Sequence, residues 1–233
     1  MTLLSVVKDV CATVGVLLPQ SVFSNITGNR TMQEMLSNAN EMAQRIAYDY
    51  RDWTKLRAMA TLTGDGVATS FPLPANYKRM LLTSDLWGST STQTPLRFIA
   101  DTNEWMQRRA GDYSNSSGEW TMLGGRIHVW PALALGDTVY FSYLDKNCID
   151  LASGGRGDVF MADKDSFTLD ERTLKLGMIM EWKSKKGSPY AEDMSTYGDA
   201  LANVMGRDQP APIFLGRVPI SDSTKTALPG LMP

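Results

Sequence analysis

The period of the apolar residues changes twice along the chain, and this limits the folds that the sequence can adopt. In residues 1–58 and 166–207 the apolar side chains recur at the spacing of amphipathic helices. Residues 59–165 instead alternate apolar and polar side chains between Gly, Pro, Ser and Asn, which is typical of short strands. We therefore predict an α+β fold in which N- and C-terminal helices form an antiparallel bundle and residues 59–165 form an inserted antiparallel β domain.

Capping signals predict where the helices begin. Thr2 can cap a first helix that ends at Gly15, although the many β-branched residues of this segment also allow a buried strand. Residues 31–34 (Thr-Met-Gln-Glu) and 168–171 (Thr-Leu-Asp-Glu) have the spacing of capping boxes, and residues 188–189 (Ser-Pro) resemble a cap followed by a first-turn proline. The apolar stripes behind these signals predict the side chains that pack the bundle: Met35, Met42, Ile46, Leu174, Met178, Trp182, Tyr197 and Leu201.

The β-rich segment is predicted to start with a hairpin. Residues 59–63 and 67–73 would pair across a turn at residues 64–66, and Gly124-Gly125 would form a second tight turn. A short helix capped by Asp101 is predicted for residues 101–109. The alternation predicts the other strands at residues 79–86, 96–99, 119–122, 126–130 and 138–144.

The last segment, residues 208–233, has no periodicity and contains five of the eleven prolines, yet it remains apolar. An extended apolar tail of this composition usually lies in a groove of its own domain or of a neighbouring chain. We therefore predict an extended C-terminal arm whose apolar side chains contact a partner: Ile213, Phe214, Leu215, Val218, Ile220, Leu228 and Leu231.

Composition narrows the classes of function. Lys and Arg total 23 and Asp and Glu total 25, and the resulting net charge of −2 argues against a dedicated nucleic-acid binder. Cys11 and Cys148 are too few for a disulfide scaffold, which favours folding in a reducing compartment. With no run of 18 apolar residues and no secretory signal, we expect synthesis in the cytoplasm and no membrane span.

Catalytic patterns are weak in this sequence. His128, the single histidine, lies in an alternating stretch, and this favours the exposed side of a strand over a general base. Asp163 and Asp165 lack the spacing of a calcium loop, and Glu104 and Glu119 are the carboxylates that a hydrolase could use. We expect no metal, no cofactor and no catalytic residue, and hence a protein that is not an enzyme.

Several local motifs occur together in this chain. They are Tyr-Arg-Asp-Trp at 50–53, Gly-Asp-Gly at 64–66, Phe-Pro-Leu-Pro at 71–74, Asp-Glu-Arg-Thr-Leu-Lys-Leu-Gly at 170–177, Trp182, and Lys-Lys-Gly at 185–187. In combination they resemble the motifs of tailed-bacteriophage head-to-tail adaptors, which are also called head completion or tail tubular proteins of the neck. The resemblance spans nearly the whole chain to about residue 207, although the β region is longer than in minimal helical adaptors.

The resemblance implies a structural virion protein made in the host cytoplasm and located in the neck, between head and tail. It implies a ring of about twelve copies that binds the portal protein ring and a tail or nozzle protein. It also implies that DNA passes through the ring channel without sequence-specific binding, and that the C-terminal arm reaches the portal or an adjacent subunit. No catalytic residue is implied.

Two other functions are compatible with the residues alone. One is a virion-associated cell-wall (peptidoglycan) hydrolase, which would need a carboxylate in an apolar cleft. The other is a glycan- or receptor-binding β module, which the dispersed tryptophans allow.

Overall fold

The chain adopts a mixed α+β fold, as the sequence predicts, in a computed structural model that describes residues 1–24, 26–81, 84–89, 95–111 and 117–208. The α-helices in these ranges are α1 (Leu3–Val14), α2 (Arg30–Tyr48), α3 (Thr102–Ala110), α4 (Glu171–Lys185) and α5 (Ala191–Arg207). Short 3-10 turns lie at Ile26–Gly28 and Thr54–Leu56. The strands are β1 (Arg57–Thr63), β2 (Ser70–Pro72), β3 (Tyr77–Met80), β4 (Trp87–Gly88), β5 (Arg97–Phe98), β6 (Glu119–Leu123), β7 (Arg126–Trp130), β8 (Thr138–Asp145), β9 (Ile149–Asp150), β10 (Arg156–Gly157) and β11 (Ser166–Phe167).

The first segment is a helix, and the strand alternative is wrong. Thr2 and Ser5 form a reciprocal capping box in which each side-chain oxygen accepts the other residue's backbone N–H. Gly15 ends α1 in the left-handed conformation with φ 73°, which glycine adopts without a Cβ clash. The cap and the buried stripe therefore outweigh the β-branched content of the segment.

The two capping boxes predicted at Thr31 and Thr168 are wrong. α2 begins at Arg30, where Asn29 Oδ1 accepts the Met32 N–H at 3.3 Å, and α4 begins at Glu171, where Asp170 accepts the Thr173 N–H at 2.7 Å. Asn and Asp are caps at least as strong as Thr, and both occur two residues from the predicted position.

The predicted start of the last helix at residues 188–189 is also wrong. α5 begins at Ala191, and its N-cap, Tyr190, makes no side-chain capping bond. Gly187 has φ 70°, and the Ser188 N–H donates to the Lys183 carbonyl, so residues 187–188 still complete the end of α4.

α4 is the central helix, and it packs against α1, α2 and α5. Gly177 allows the close approach, because a Cβ at this position would lie 2.5 Å from Met42 Cε and 3.0 Å from the ring of Tyr197. All eight side chains predicted to pack the helices are buried in this core. The core also takes in Leu144, Cys148, Ile149, Phe160 and Phe167 from the segment between the helices.

The predicted hairpin of residues 59–73 is wrong, because its two strands belong to different sheets. β1 pairs with β8, whereas β2 pairs with β7. The turn itself forms, since the Asp65 carboxylate accepts the N–H groups of Val67 and Ala68 at 2.9 and 2.6 Å, but the chain then crosses to the other sheet.

Three sheets are present in the described ranges. One has the order β1-β8-β3 with β4 also on β8, the second has the order β2-β7-β6-β5, and the third has the order β10-β9-β11. β5 and β6 are parallel, which corrects the expectation of a wholly antiparallel β region, and α3 is the connection that makes this pairing possible. The predicted strand at residues 126–130 and the tight turn at Gly124-Gly125 are confirmed.

The first two sheets enclose a second core. β8 directs Val139, Phe141 and Tyr143 inward, and β7 adds Ile127 and Val129. The other strands of the two sheets complete this core with Leu62, Phe71 and Trp120. Among the described helices, none combines the length and the apolar character needed to cross a bilayer.

Candidate interaction surfaces

His128 lies on the more open face of β7. It is half-buried, opposite Ser70 on one side and Thr121 on the other, while its neighbours Ile127 and Val129 point into the core. This is the placement that the alternation predicts. The hydroxyls of the two opposite residues have other partners: Ser70 Oγ accepts from Arg126 Nε, and Thr121 Oγ1 donates to the Ile99 carbonyl, at 2.7 Å each.

The two carboxylates considered for hydrolysis are bound to the same guanidinium. Arg108 Nη1 lies 2.6 Å from Glu119 Oε1, and Arg108 Nε lies 3.0 Å from Glu104 Oε1. The Glu119 side chain is 0% exposed, whereas Glu104 is partly open to solvent. The pair is thus joined through a cation, and this arrangement differs from two carboxylates that face each other across a sugar.

The Asp163 and Asp165 carboxylates bind backbone N–H groups. Asp165 Oδ2 accepts from Met161 and Ala162 at 2.7 Å each, and its Oδ1 accepts from Ala152 at 2.9 Å. Asp163 Oδ1 accepts from Val22 at 2.8 Å. These oxygens organise the loop that precedes α4. In the described part of the chain, no group of three or more His, Cys, Asp or Glu side chains is arranged to hold a metal.

Both cysteines are buried and free. Burial raises the pKa of the Cys148 thiol to about 11, and burial also raises the pKa of the Cys11 thiol. Both thiols are therefore protonated and shielded near neutral pH, which makes them poor nucleophiles.

We predict that stability falls between pH 9 and pH 11 because of Cys148. An exposed thiol ionises with a pKa near 9.0, but the folded chain keeps the Cys148 proton until about pH 11. Over this interval the unfolded chain binds fewer protons, so the free energy of unfolding decreases by up to about 1.4 kcal/mol per pH unit. Urea unfolding at pH ~8 and pH ~10 measures the loss. The Cys148→Ala variant is the control, and an equal pH dependence in this variant would assign the loss to other groups.

The C-terminus of α5 is held against the start of β1. Asp208, which the sequence places in the arm, is the C-cap of α5. Its carboxylate accepts the Thr54 N–H at 3.1 Å and the Thr54 hydroxyl, and it lies 3.6 Å from Arg51 Nε. Arg51 also donates to the Met205 carbonyl. We call these three side chains, Arg51, Thr54 and Asp208, the exit clamp, because they hold the C-terminal end of α5.

An exposed apolar face lies on the sheet that follows the exit clamp. β1 directs Met59 outward, and Tyr140 of β8 lies directly opposite Trp87 of β4. These side chains are 79%, 46% and 47% exposed, respectively. We call Met59, Trp87 and Tyr140 the open sheet face.

The predicted arm contacts fall outside the described residues. All seven of them, from Ile213 to Leu231, lie beyond Asp208, so their partner contacts stay a prediction. The exit clamp and the open sheet face were not predicted as sites. The alternation does point Met59 outward, but only the pairing of β4 with β8 brings Trp87 beside Tyr140.

Comparison with known proteins does not assign the chain to a family. No protein-family model matches it, and no curated protein matches it.

Proposed function

We propose that the protein is the subunit of a ring that joins the portal of a phage head to the tail and continues the DNA channel. The observation that carries the proposal is the exit clamp, which ties the end of α5 to the turn before β1, directly before an apolar, proline-rich stretch of sequence. A connector needs this combination of a rigid body and an extended arm. The local motifs that resemble those of head-to-tail adaptors are the reason for proposing a connector of the phage neck in particular.

The presence of two separate cores, one helical and one between sheets, supports the proposal. Helices from both ends of the sequence share one core, and the two larger sheets enclose another. We infer that the helices act as an antiparallel bundle between neighbouring copies in the ring. The inserted β domain would then bind a tail or nozzle protein, and the arm would bind the portal or an adjacent copy.

The charge balance suits a channel through which DNA slides. The net charge is −2, and many of the cations in the described residues are paired with carboxylates, including Arg45, Arg108, Lys183 and Lys186. Few strong phosphate contacts would therefore hold the DNA. Repeated modest contacts around a ring can still give tight assembly, because each contact already made raises the effective concentration for the next.

The proposal is tested by mixing the purified chain with the portal protein encoded in the same genome and imaging the product by negative-stain electron microscopy. We expect an additional layer with the rotational symmetry of the portal, formed from about twelve copies. A folded chain that adds no layer to an intact portal would overturn the proposal.

A truncated chain is the matched control. Deletion of residues 209–233 keeps Asp208 and hence the exit clamp, and it removes none of the side chains in the two described cores. We expect this variant to keep both cores and to unfold in one cooperative urea transition, but to add little or no layer to the portal.

A further inference from the structure

The route open to the arm begins at the exit clamp. Asp208 is bonded to Thr54, which lies three residues before the start of β1. The end of α5 therefore lies close to the start of β1, the strand that carries Met59. Arg51 continues from the clamp into a cleft of about 520 Å³, which is also lined by Tyr50, Arg57 and Arg79.

A second depression continues this cleft toward the open sheet face. It has a volume of about 270 Å³, and it shares Arg57 with the first cleft before it reaches Met59 and Ser142. Ser142 and Tyr140 point to the same side of β8, and Tyr140 lies opposite Trp87. The two depressions and the open sheet face therefore lie on one side of the sheet, and we call this path from Arg51 to Tyr140 the groove.

The arm has the composition and the reach to fill this groove. The same number of residues separates Asp208 from Leu215 as separates Thr54 from Thr61, which lies opposite Tyr140. Since an extended chain advances about 3.4 Å per residue, Leu215 can reach the open sheet face from the clamp. Ile213, Phe214 and Leu215 would then lie against the apolar side chains of the open sheet face. The prolines at 210 and 212 favour the extended conformation that this path requires.

We propose that residues 209–220 lie along this groove in the free chain and cover Met59, Trp87 and Tyr140 of the same molecule. This contact goes beyond the ring function proposed above, because it forms in the isolated chain. The arm would shield an aromatic face that otherwise invites nonspecific association. Its release would expose the face and free the arm in one step.

Photo-crosslinking of the full-length chain tests the contact directly. Cys11 and Cys148 are buried, so a single cysteine introduced by Leu215→Cys can be labelled selectively with a benzophenone maleimide. We expect irradiation to link the arm to peptides from β1 and β8, in a species with the mass of one chain. The additional substitution Trp87→Ser should reduce this yield about tenfold, because it removes a large exposed contact without opening a core.

The label at Thr226→Cys, outside the proposed contact segment, is the matched control and should give few links to β1 or β8. Links confined to a species of two chains would overturn the proposal, because they would place the arm on a neighbouring copy. Links to other surfaces would also overturn it, and so would a yield that Trp87→Ser leaves unchanged. None of these outcomes depends on binding to a portal, so failure of this contact is distinguishable from failure of the ring function.

Discussion

Replacing Arg108 by alanine is expected to lower the free energy of unfolding by about 4 kcal/mol, because the substitution strands a buried charge. The Glu119 side chain is 0% exposed, and its Oε1 lies 2.6 Å from Arg108 Nη1. Its Oε2 makes no hydrogen bond within the described residues. Without the guanidinium, the fully buried Glu119 carboxylate has lost its counter-charge, and this destabilises the fold.

Two variants separate the stranded charge from the loss of a long side chain. Arg109→Ala is the matched control on the same helix. The Arg109 guanidinium lies 4.4 Å from the centre of the Trp130 ring and pairs with no buried carboxylate among the described residues. Its loss is therefore expected to lower the free energy of unfolding by about 1 kcal/mol. The double variant Arg108→Ala/Glu119→Met removes both charges and should recover at least half of the lost stability. Urea unfolding measures all three. A double variant no more stable than Arg108→Ala would contradict the explanation.

The elements of the fold could be predicted from local patterns where the pattern had a single physical interpretation. The stripe of Met35, Met42 and Ile46 requires a buried helix face, and the alternation of residues 126–130 requires a half-buried strand. The local pattern does not single out the capping residues. Asn29 competes with Thr31, and Asp170 with Thr168, because several acceptors within one turn can satisfy the same free N–H groups.

Strand partners could not be predicted, because they depend on contacts between distant residues. The turn at residues 64–66 is compatible with a hairpin, yet β1 gains more by pairing along its full length with β8. The same limit applies to the candidate surfaces. Trp87 and Tyr140 are far apart in sequence, and the Arg108–Glu119 ion pair depends on α3 crossing the start of β6. No local spacing indicates either pair.

Replacing Asp165 by alanine is expected to lower the free energy of unfolding by about 3 kcal/mol, because three backbone N–H groups lose the one carboxylate that accepts all of them. Asp165 is 1% exposed, and its two oxygens accept from Ala152, Met161 and Ala162. Hydrogen bonds to a charged group stabilise more than neutral ones, and donors left without a partner in a part-buried loop add a desolvation cost. The Asp165 carbonyl also accepts the Leu3 N–H, so the loss should extend to the start of α1.

Asp163→Ala is the matched control, because the Asp163 carboxylate accepts one backbone N–H, that of Val22. Removing this carboxylate is expected to lower the free energy of unfolding by only about 1 kcal/mol. Hydrogen exchange provides a local readout: Asp165→Ala should speed exchange at Met161, Ala162 and the first turn of α1, whereas exchange in β6 and β7 should change little, since these strands belong to the second core. Equal losses of stability in the two variants would contradict this explanation, because they would show that the three hydrogen bonds to Asp165 contribute no more than the single one to Asp163.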